Sequence, residues 1–417
     1  MENSSLEKQG IARTFPSEQS PVPSDLASQP GLGGKRVLML FPHMVTPGGA
    51  LNYMLKLSEL LVLKGATLGI LTLQADMEKY GSIKGVEILR IDGPLTSEIV
   101  YWLFFPFWQK KIRRKILDWQ PDVLVPHVFP ANWWAWLHKK RESAIPVVWI
   151  CPEPSAFIHS QDWIEALKPF WKKYMARAMK PVLAFADIKL SRFSDKIVVN
   201  SKYTAGMLEK VYHRKADAVA YPGIDLIEFH PENSIEKQEI IVTVAKLSKF
   251  KRIDFLLQVF SRLLKRYPQL VYHIVGQGEE EKSLKKLAAE LHISDKVIFH
   301  GITDNQHLAA LHQRALLFLH GSIAEPFGMA PLEAIACNTP VIAHSSGGPL
   351  EFVNDSCGRL IDSLSKEKWC EEIDNFLSRL KANPEYFRGI EENARKFSWD
   401  STLAPALLLI SNVVTAL

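Results

Sequence analysis

The chain alternates short apolar runs with longer segments whose apolar residues recur at helical spacing, and it does so in both halves. The runs are rich in Val, Ile and Leu and predict buried parallel strands. In the first half they are Val37 to Phe41, Thr67 to Leu73, Val86 to Ile91, Pro121 to His127, Val147 to Ile150, Lys196 to Asn200 and Ala218 to Tyr221. In the second they are Ile240 to Ala245, Val271 to Val275, Val297 to His300, Ala315 to His320, Val341 to Ala343 and Gly358 to Ile361. Between them the spacing predicts helices over Ala50–Lys64, Asn132–Lys140, Ser201–Lys210 and Asp254–Tyr267, and an apolar C-terminal helix from about Ser401 to Leu417. Trp171 to Lys189 predicts a basic helical stretch interrupted at Pro181. Strand–helix alternation of this kind builds an α/β fold of doubly wound parallel sheets.

A polar stretch, Phe229 to Gln238, separates the halves, and 417 residues suit two domains better than one. The expected division is a domain over 35–222, a second over 223–399, and a C-terminal helix, about 400–417, packing back on the first. Residues 1–34 are rich in Ser, Pro, Gln and Gly and predict a disordered leader. The net charge of +5 argues against a dedicated nucleic-acid binder. The four cysteines, Cys151, Cys337, Cys357 and Cys370, lack metal-site or redox-pair spacing.

No apolar run reaches membrane-spanning length, and the N-terminus lacks a secretory pattern. The expected location is the cytoplasm or the cytoplasmic face of a membrane. Segment 99–119 joins an aromatic block, Ile99 to Trp108, to a cationic cluster, Lys110 to Lys115. Two readings stay open: peripheral contact with a lipid surface or lipid acceptor, or a buried helix with a solvated basic continuation.

The polar groups that follow strands supply the candidate chemistry, because ligands of open α/β sheets sit at the carboxyl ends of the strands. In the first half these are Gly48 and Gly49 at the first strand-to-helix turn, His127, and Glu153 in Cys151-Pro152-Glu153-Pro154. Each alone is equally a tight turn or a structural side chain. In the second half they are Lys246 to Arg252, Gly276-Gln277-Gly278, and above all the stretch Ser322–Glu351. That stretch holds Glu325 and Glu333 with seven residues between them, the glycine loop Phe327-Gly328-Met329, and Ser345 to Gly348. It reads as loop, helix, strand, loop, helix, with Pro331 in the first helical turn and Asn338 and Pro340 ending that helix. Two helix N-termini can hold phosphate, and carboxylates accept hydrogen bonds from hydroxyls. Diphosphate plus hydroxyls describes a sugar nucleotide. The plainer alternative is that Glu333 complements a helix dipole and Glu325 is a solvated loop residue.

Taken in order, these motifs resemble the retaining glycosyltransferases of family 4, with the two-domain GT-B architecture of Rossmann-like halves facing a central cleft. The likeness runs from Lys35 to the C-terminus and is carried by Pro47-Gly48-Gly49, Tyr221-Pro222-Gly223-Ile224-Asp225, Ala245-Lys246-Leu247-Ser248, Val275-Gly276-Gln277-Gly278, the glutamate–seven–glutamate pair and Gly347-Gly348-Pro349-Leu350-Glu351. The family's asparagine is missing from the second motif, and Lys246 stands where the family usually has arginine. The resemblance implies that Lys246 and Lys251 contact a donor diphosphate, that Glu333 binds the ribose and that Glu325 sits by the transferred sugar. By the same resemblance, backbone N–H groups of Phe327, Gly328 and Met329 hold sugar hydroxyls, Gly48, Gly49 and Gly276 let backbone approach the donor, and His127 lies near the sugar. His127, Glu325 and Lys251 are the implied catalytic set, with no metal and no cofactor. The Gly-Gly-Pro-Leu-Glu variant is most similar to lipid-linked oligosaccharide mannosyltransferases, which implies GDP-mannose as donor and a glycan or polyprenyl-linked acceptor. A UDP-sugar enzyme and a catalytically silent sugar-nucleotide-binding subunit are the alternatives. A dinucleotide-dependent oxidoreductase is disfavoured, because the first βαβ unit lacks the glycine fingerprint.

Overall fold

The computed structural model describes residues 31–416 apart from 46–47, 82, 92–104, 143, 160–163, 165–169, 233, 384 and 386–387. The predicted leader through residue 30, Pro47 and the aromatic residues 99–104 therefore lie outside the described residues. The chain divides into two compact units, 1–222 with 400–417, and 223–399.

In the first unit, strands β1 (Arg36–Leu40), β2 (His43–Met44), β3 (Thr67–Thr72), β4 (Gln74–Ala75), β5 (Val86–Arg90) and β6 (Val123–Pro126) come first. Strands β7 (Val148–Cys151), β8 (Lys196–Val199) and β9 (Ala218–Val219) complete it. A parallel sheet runs β5-β3-β1-β6, and β7-β8-β9 continues it through a parallel bridge between Leu124 and Val147. The chain reverses its direction of travel between β1 and β6, the switch point of a doubly wound sheet. The short pair β2–β4 was not legible in the hydrophobic pattern, since two residues per strand carry no period.

Order begins earlier than the composition suggests. Leu32 is fully buried and its N–H donates to Lys64 O at 2.8 Å, so residues 31–34 belong to the folded body. One anchoring leucine in a polar window escapes a compositional reading. The helix Phe170–Ser191 is continuous through Pro181, where the sequence predicted a break. Pro181 is exposed, so water can serve a carbonyl that loses its helical donor.

The helix Phe105–Trp119 turns Trp108, Ile112, Ile116 and Trp119 into the core, each at most 5% exposed. Phe107 and Leu117 on the same helix are exposed, at 52% and 42%. The same core contains Trp134, Trp136 and Trp149, with the rings of Trp136 and Trp149 edge to face at 4.9 Å. Tryptophan N–H groups need buried acceptors. Trp136 donates to Ser194 Oγ at 2.6 Å and Trp133 to Asp187, which also accepts from Tyr212 at 2.6 Å and pairs with His159 at 2.9 Å.

The second unit holds β10 (Gln238–Val244), β11 (Val271–Val275), β12 (Val297–Gly301), β13 (Ala315–His320), β14 (Val341–His344) and β15 (Gly358–Ile361). All pairings are parallel, in the order β12-β11-β10-β13-β14-β15, with the switch point between β10 and β13. The helix Trp399–Thr415 follows, and its Leu403, Ala406, Leu407, Ile410 and Val414 are buried.

His312 lies fully buried between Phe229 and Phe318, and neither ring nitrogen has a partner among the described residues. Burial, with Lys237 adding to it, depresses its pKa to about 3. The unfolded chain, with a histidine pKa near 6.5, takes up this proton first. Stability is therefore present above about pH 6.5 and falls as acidification proceeds toward the folded value. His312→Phe should flatten that fall by an amount rising toward about 1.4 kcal/mol per pH unit as the pH is lowered from about 6.5 to 5, measured by denaturant unfolding of the second unit.

Candidate active site

The switch point brings four loops of the second unit to one sheet edge: those after β10, β11, β13 and β14. The first two are knitted by backbone. Leu247 N–H donates to Gln277 O at 2.9 Å and Glu280 N–H to Leu247 O at 3.0 Å. Gly276 is required here twice over, by a φ of +129° and because a Cβ would lie 1.9 Å from Ala245 O.

From this loop pair a single 3-10 turn, Lys249–Lys251, aims Lys251 at the loop after β13. Lys251 Nζ donates to Glu325 Oε2, and the two side chains are only 24% and 14% exposed. His320 Nε2 lies 3.6 Å from the same oxygen. Burial pushes the Glu325 pKa up, but the charge and hydrogen bond of Lys251, with His320, outweigh it and hold the group at about 2. Burial depresses His320 to about 4, so its ring is neutral at neutral pH. Glu325 is thus a charged, nearly dry acceptor rather than a solvated loop residue.

The loop after β14 locks Glu325 from the other side. Gly348 N–H donates to Glu325 O at 2.7 Å. Ser346 Oγ accepts from Ala324 N–H at 3.0 Å and meets His344 Nδ1 at 2.8 Å. The contact leaves no space for side chains: a Cβ on Gly347 would lie 2.2 Å from Glu325 O, and one on Gly348 2.3 Å from Phe327 O. Phe327 is buried against Phe352 and Phe397 at ring separations of 5.4 and 5.8 Å, which anchors the loop from below.

Gly328, at φ +98°, then turns the chain into the helix Met329–Ala336, whose first turn has no side-chain cap and no acidic residue. Its leading N–H groups are available to an anion or a hydroxyl. Two expectations change here. Glu333 is the fifth residue of this helix, because the helix starts ahead of Pro331, so it does not serve as a first-turn complement to the dipole. Beyond Gly347 there is one 3-10 turn, Gly348–Glu351, and not the second α-helix the sequence suggested. Asn338, at φ +61°, ends the first helix as predicted. Lys246 is largely exposed, with Glu279 3.9 Å from its Nζ.

Of the proposed set, the second unit brings Lys251, Glu325, Phe327, Gly328 and Met329 together, with Glu333 half-buried on the same helix and Gly276 at the adjoining loop. His320 was missed, and Ser346 was read only as part of a glycine loop. The rule that polar residues ending a strand face the ligand edge would have found His320, the last residue of β13.

In the first unit, Gly48 caps the helix Gly49–Leu63 in extended conformation, and among the described residues nothing lies within 4 Å of a Cβ built on it. Gly48 and Gly49 are both exposed. His127 follows β6 as predicted but is only 2% exposed. Its Nε2 lies 3.2 Å from Met39 Sδ, between the rings of Phe41 and Tyr53. Burial lowers its pKa to about 3, so the imidazole is neutral. No cluster of three or more His, Cys, Asp or Glu able to hold a metal occurs among the described residues.

Two family models match adjoining parts of the chain: "Glycosyltransferase Family 4" over residues 47–228 and "Glycosyl transferases group 1" over 226–397. Together the two models span residues 47–397 of the chain. Among curated proteins, the D-inositol 3-phosphate glycosyltransferase of Saccharomonospora viridis is 30% identical over 230 residues, 50% of this chain and 53% of that protein. The chain thus spans about half the length of such a relative. Among solved structures, sucrose-phosphate synthase from Thermosynechococcus elongatus matches with TM-score 0.74 at 19% identity, over 92% of this chain and all of that one. Anabaena HepE, solved with UDP and glucose, matches with TM-score 0.68 at 18% identity, over 91% of this chain and 99% of that one. These likenesses establish the GT-B fold.

Gly348→Ala should force the loops after β13 and β14 apart and destabilise the second unit by about 1–3 kcal/mol. Calorimetry of the full chain reads this as a lowered transition of the second unit.

Proposed function

We propose that the chain is a retaining glycosyltransferase that moves a hexose from a nucleotide sugar to a glycan or lipid-linked acceptor, without a metal. The observation that carries the reading is Glu325, a buried carboxylate kept charged by Lys251 beside the uncapped first turn of Met329–Ala336. In this reading the nucleotide sugar binds the second unit and the acceptor binds the first. Glu325 accepts from a hydroxyl of the transferred sugar, and backbone N–H groups of Phe327 to Met329 hold others. Glu333 takes the ribose hydroxyls, and Gly276 lets backbone approach the donor.

An ammonium has three donors, and Lys251 commits one to Glu325, leaving two for the diphosphate. Lys246 adds a second charge, and the two offset the charge that develops as the glycosidic bond breaks. Lysine at position 246 supplies a point charge without the bidentate grip of arginine. The 2% exposure of His127 withdraws it from direct contact with the sugar, and Gly48 and Gly49 admit backbone contact with the acceptor. The working location is the cytoplasm or its membrane face.

For the donor, the Gly347–Glu351 pattern favours GDP-mannose. A second reading, a UDP-hexose, draws support from the Anabaena neighbour solved with UDP and glucose. Thermal shift with GDP-mannose and UDP-glucose separates them, since the tighter ligand raises the melting temperature more. Lys251→Ala and Glu325→Ala should each lower transfer by about a hundredfold or more while leaving the fold intact. Full activity in both variants would overturn the site. Nucleotide binding without transfer or donor hydrolysis would indicate a silent binding subunit.

A further inference from the structure

The residue before Glu325 stands in an unfavourable conformation, and one side chain holds it there. Ala324 has φ +57°, the left-handed region that a residue with a Cβ adopts only when its surroundings impose it. Ile323 and Ala324 are both exposed, so burial does not impose the turn. Ser346 does, because its Oγ accepts the Ala324 N–H at 3.0 Å. On the other side, Gly348 N–H donates to Glu325 O at 2.7 Å. The backbone is thus tied to the loop after β14 both before and after the carboxylate that the site depends on.

Ser346 is itself oriented. Its Oγ lies 2.8 Å from Nδ1 of His344, the last residue of β14. Having accepted the Ala324 N–H, the hydroxyl still has a proton to give, and a bare Nδ1 takes it. Three titratable or charged groups face the His344 ring from neighbouring elements. They are Arg252 ahead of the helix Ile253–Leu263, Asp362 after β15, and His320 at the end of β13. Burial lowers the His344 pKa, the Arg252 charge adds to it, and Asp362 opposes both, so the ring is neutral at neutral pH. Protonation reverses the contact. Nδ1 then donates to Oγ, the serine proton must turn away, and a second cation stands beside Arg252.

We infer that Ser346, oriented by His344, is a positioning residue that sets Glu325 against the transferred sugar. Turnover then depends on an unprotonated His344. The inference rests on the reading of Glu325 as the acceptor of a sugar hydroxyl, and the test keeps the two apart. The full chain is titrated with GDP-mannose and UDP-glucose, each beside its own nucleoside diphosphate, and turnover is read as release of that diphosphate. Ser346→Ala should weaken binding of the nucleotide sugar about tenfold and leave that of the nucleoside diphosphate largely unchanged. Turnover should fall at least as far, and Ser346→Thr, which keeps the hydroxyl, should restore both. The melting temperature without ligand should move by about 4 °C or less. As the pH drops below the ordinary histidine value of 6.5, native turnover should fall and that of His344→Asn should not. Glu325 and His320 titrate lower, at about 2 and 4. Native sugar binding and turnover in Ser346→Ala, with both lost in Glu325→Ala, would overturn the inference alone. Native behaviour in both variants would overturn the reading of Glu325 as well. Equal weakening of both ligands by Ser346→Ala would make Ser346 merely structural, and an acid fall kept in His344→Asn would remove His344 from the arrangement; either result overturns the inference.

Discussion

The candidate site depends on keeping one carboxylate charged in a place where burial opposes it. Glu325 has lost most of its water, and the charge and hydrogen bond of Lys251 do most to reverse the resulting rise in pKa. A buried ion pair is seldom a source of stability, because desolvation offsets the attraction. Its persistence in a loop is therefore best understood as positioning for a ligand. The surrounding backbone fits that view. Gly347 and Gly348 exist as glycines because carbonyl oxygens of the Glu325 loop occupy the space their side chains would need. The second unit thus closes backbone tightly against the segment that presents one negative charge.

Much of this was legible in the sequence. Short apolar runs rich in Val, Ile and Leu marked the buried strands, since a strand covered on both faces must be apolar throughout. β11, β13 and β15 were read to the residue. The edges of the reading failed for physical reasons. β2 and β4 are too short to show periodicity, Leu32 is a lone anchor, and Pro181 is tolerated because its surroundings are solvent.

For the site, spacing located Glu325, Gly328, Glu333 and Lys251 but not their relations. Nothing in one dimension says that Lys251, many residues upstream, donates to Glu325, or that His320 shares its oxygen. Those relations arise from the sheet order, which sets β13 directly beside β10. His127 gives the converse lesson. Its place at the end of β6 was read correctly, while its burial beneath Phe41, Tyr53 and Met39 follows from tertiary packing alone.

The chain path has an outcome for how the protein is made. The first unit takes 1–222 and then 400–417, so the whole second unit is inserted within it. Leu403, Leu407, Ile410 and Val414 are buried, so the apolar faces they cover stay open to water until this helix has left the ribosome. The inserted unit can finish folding first, whereas the flanking one must wait with incomplete cover. Chaperone demand during synthesis should accordingly fall on the N-terminal part, although it is translated earlier.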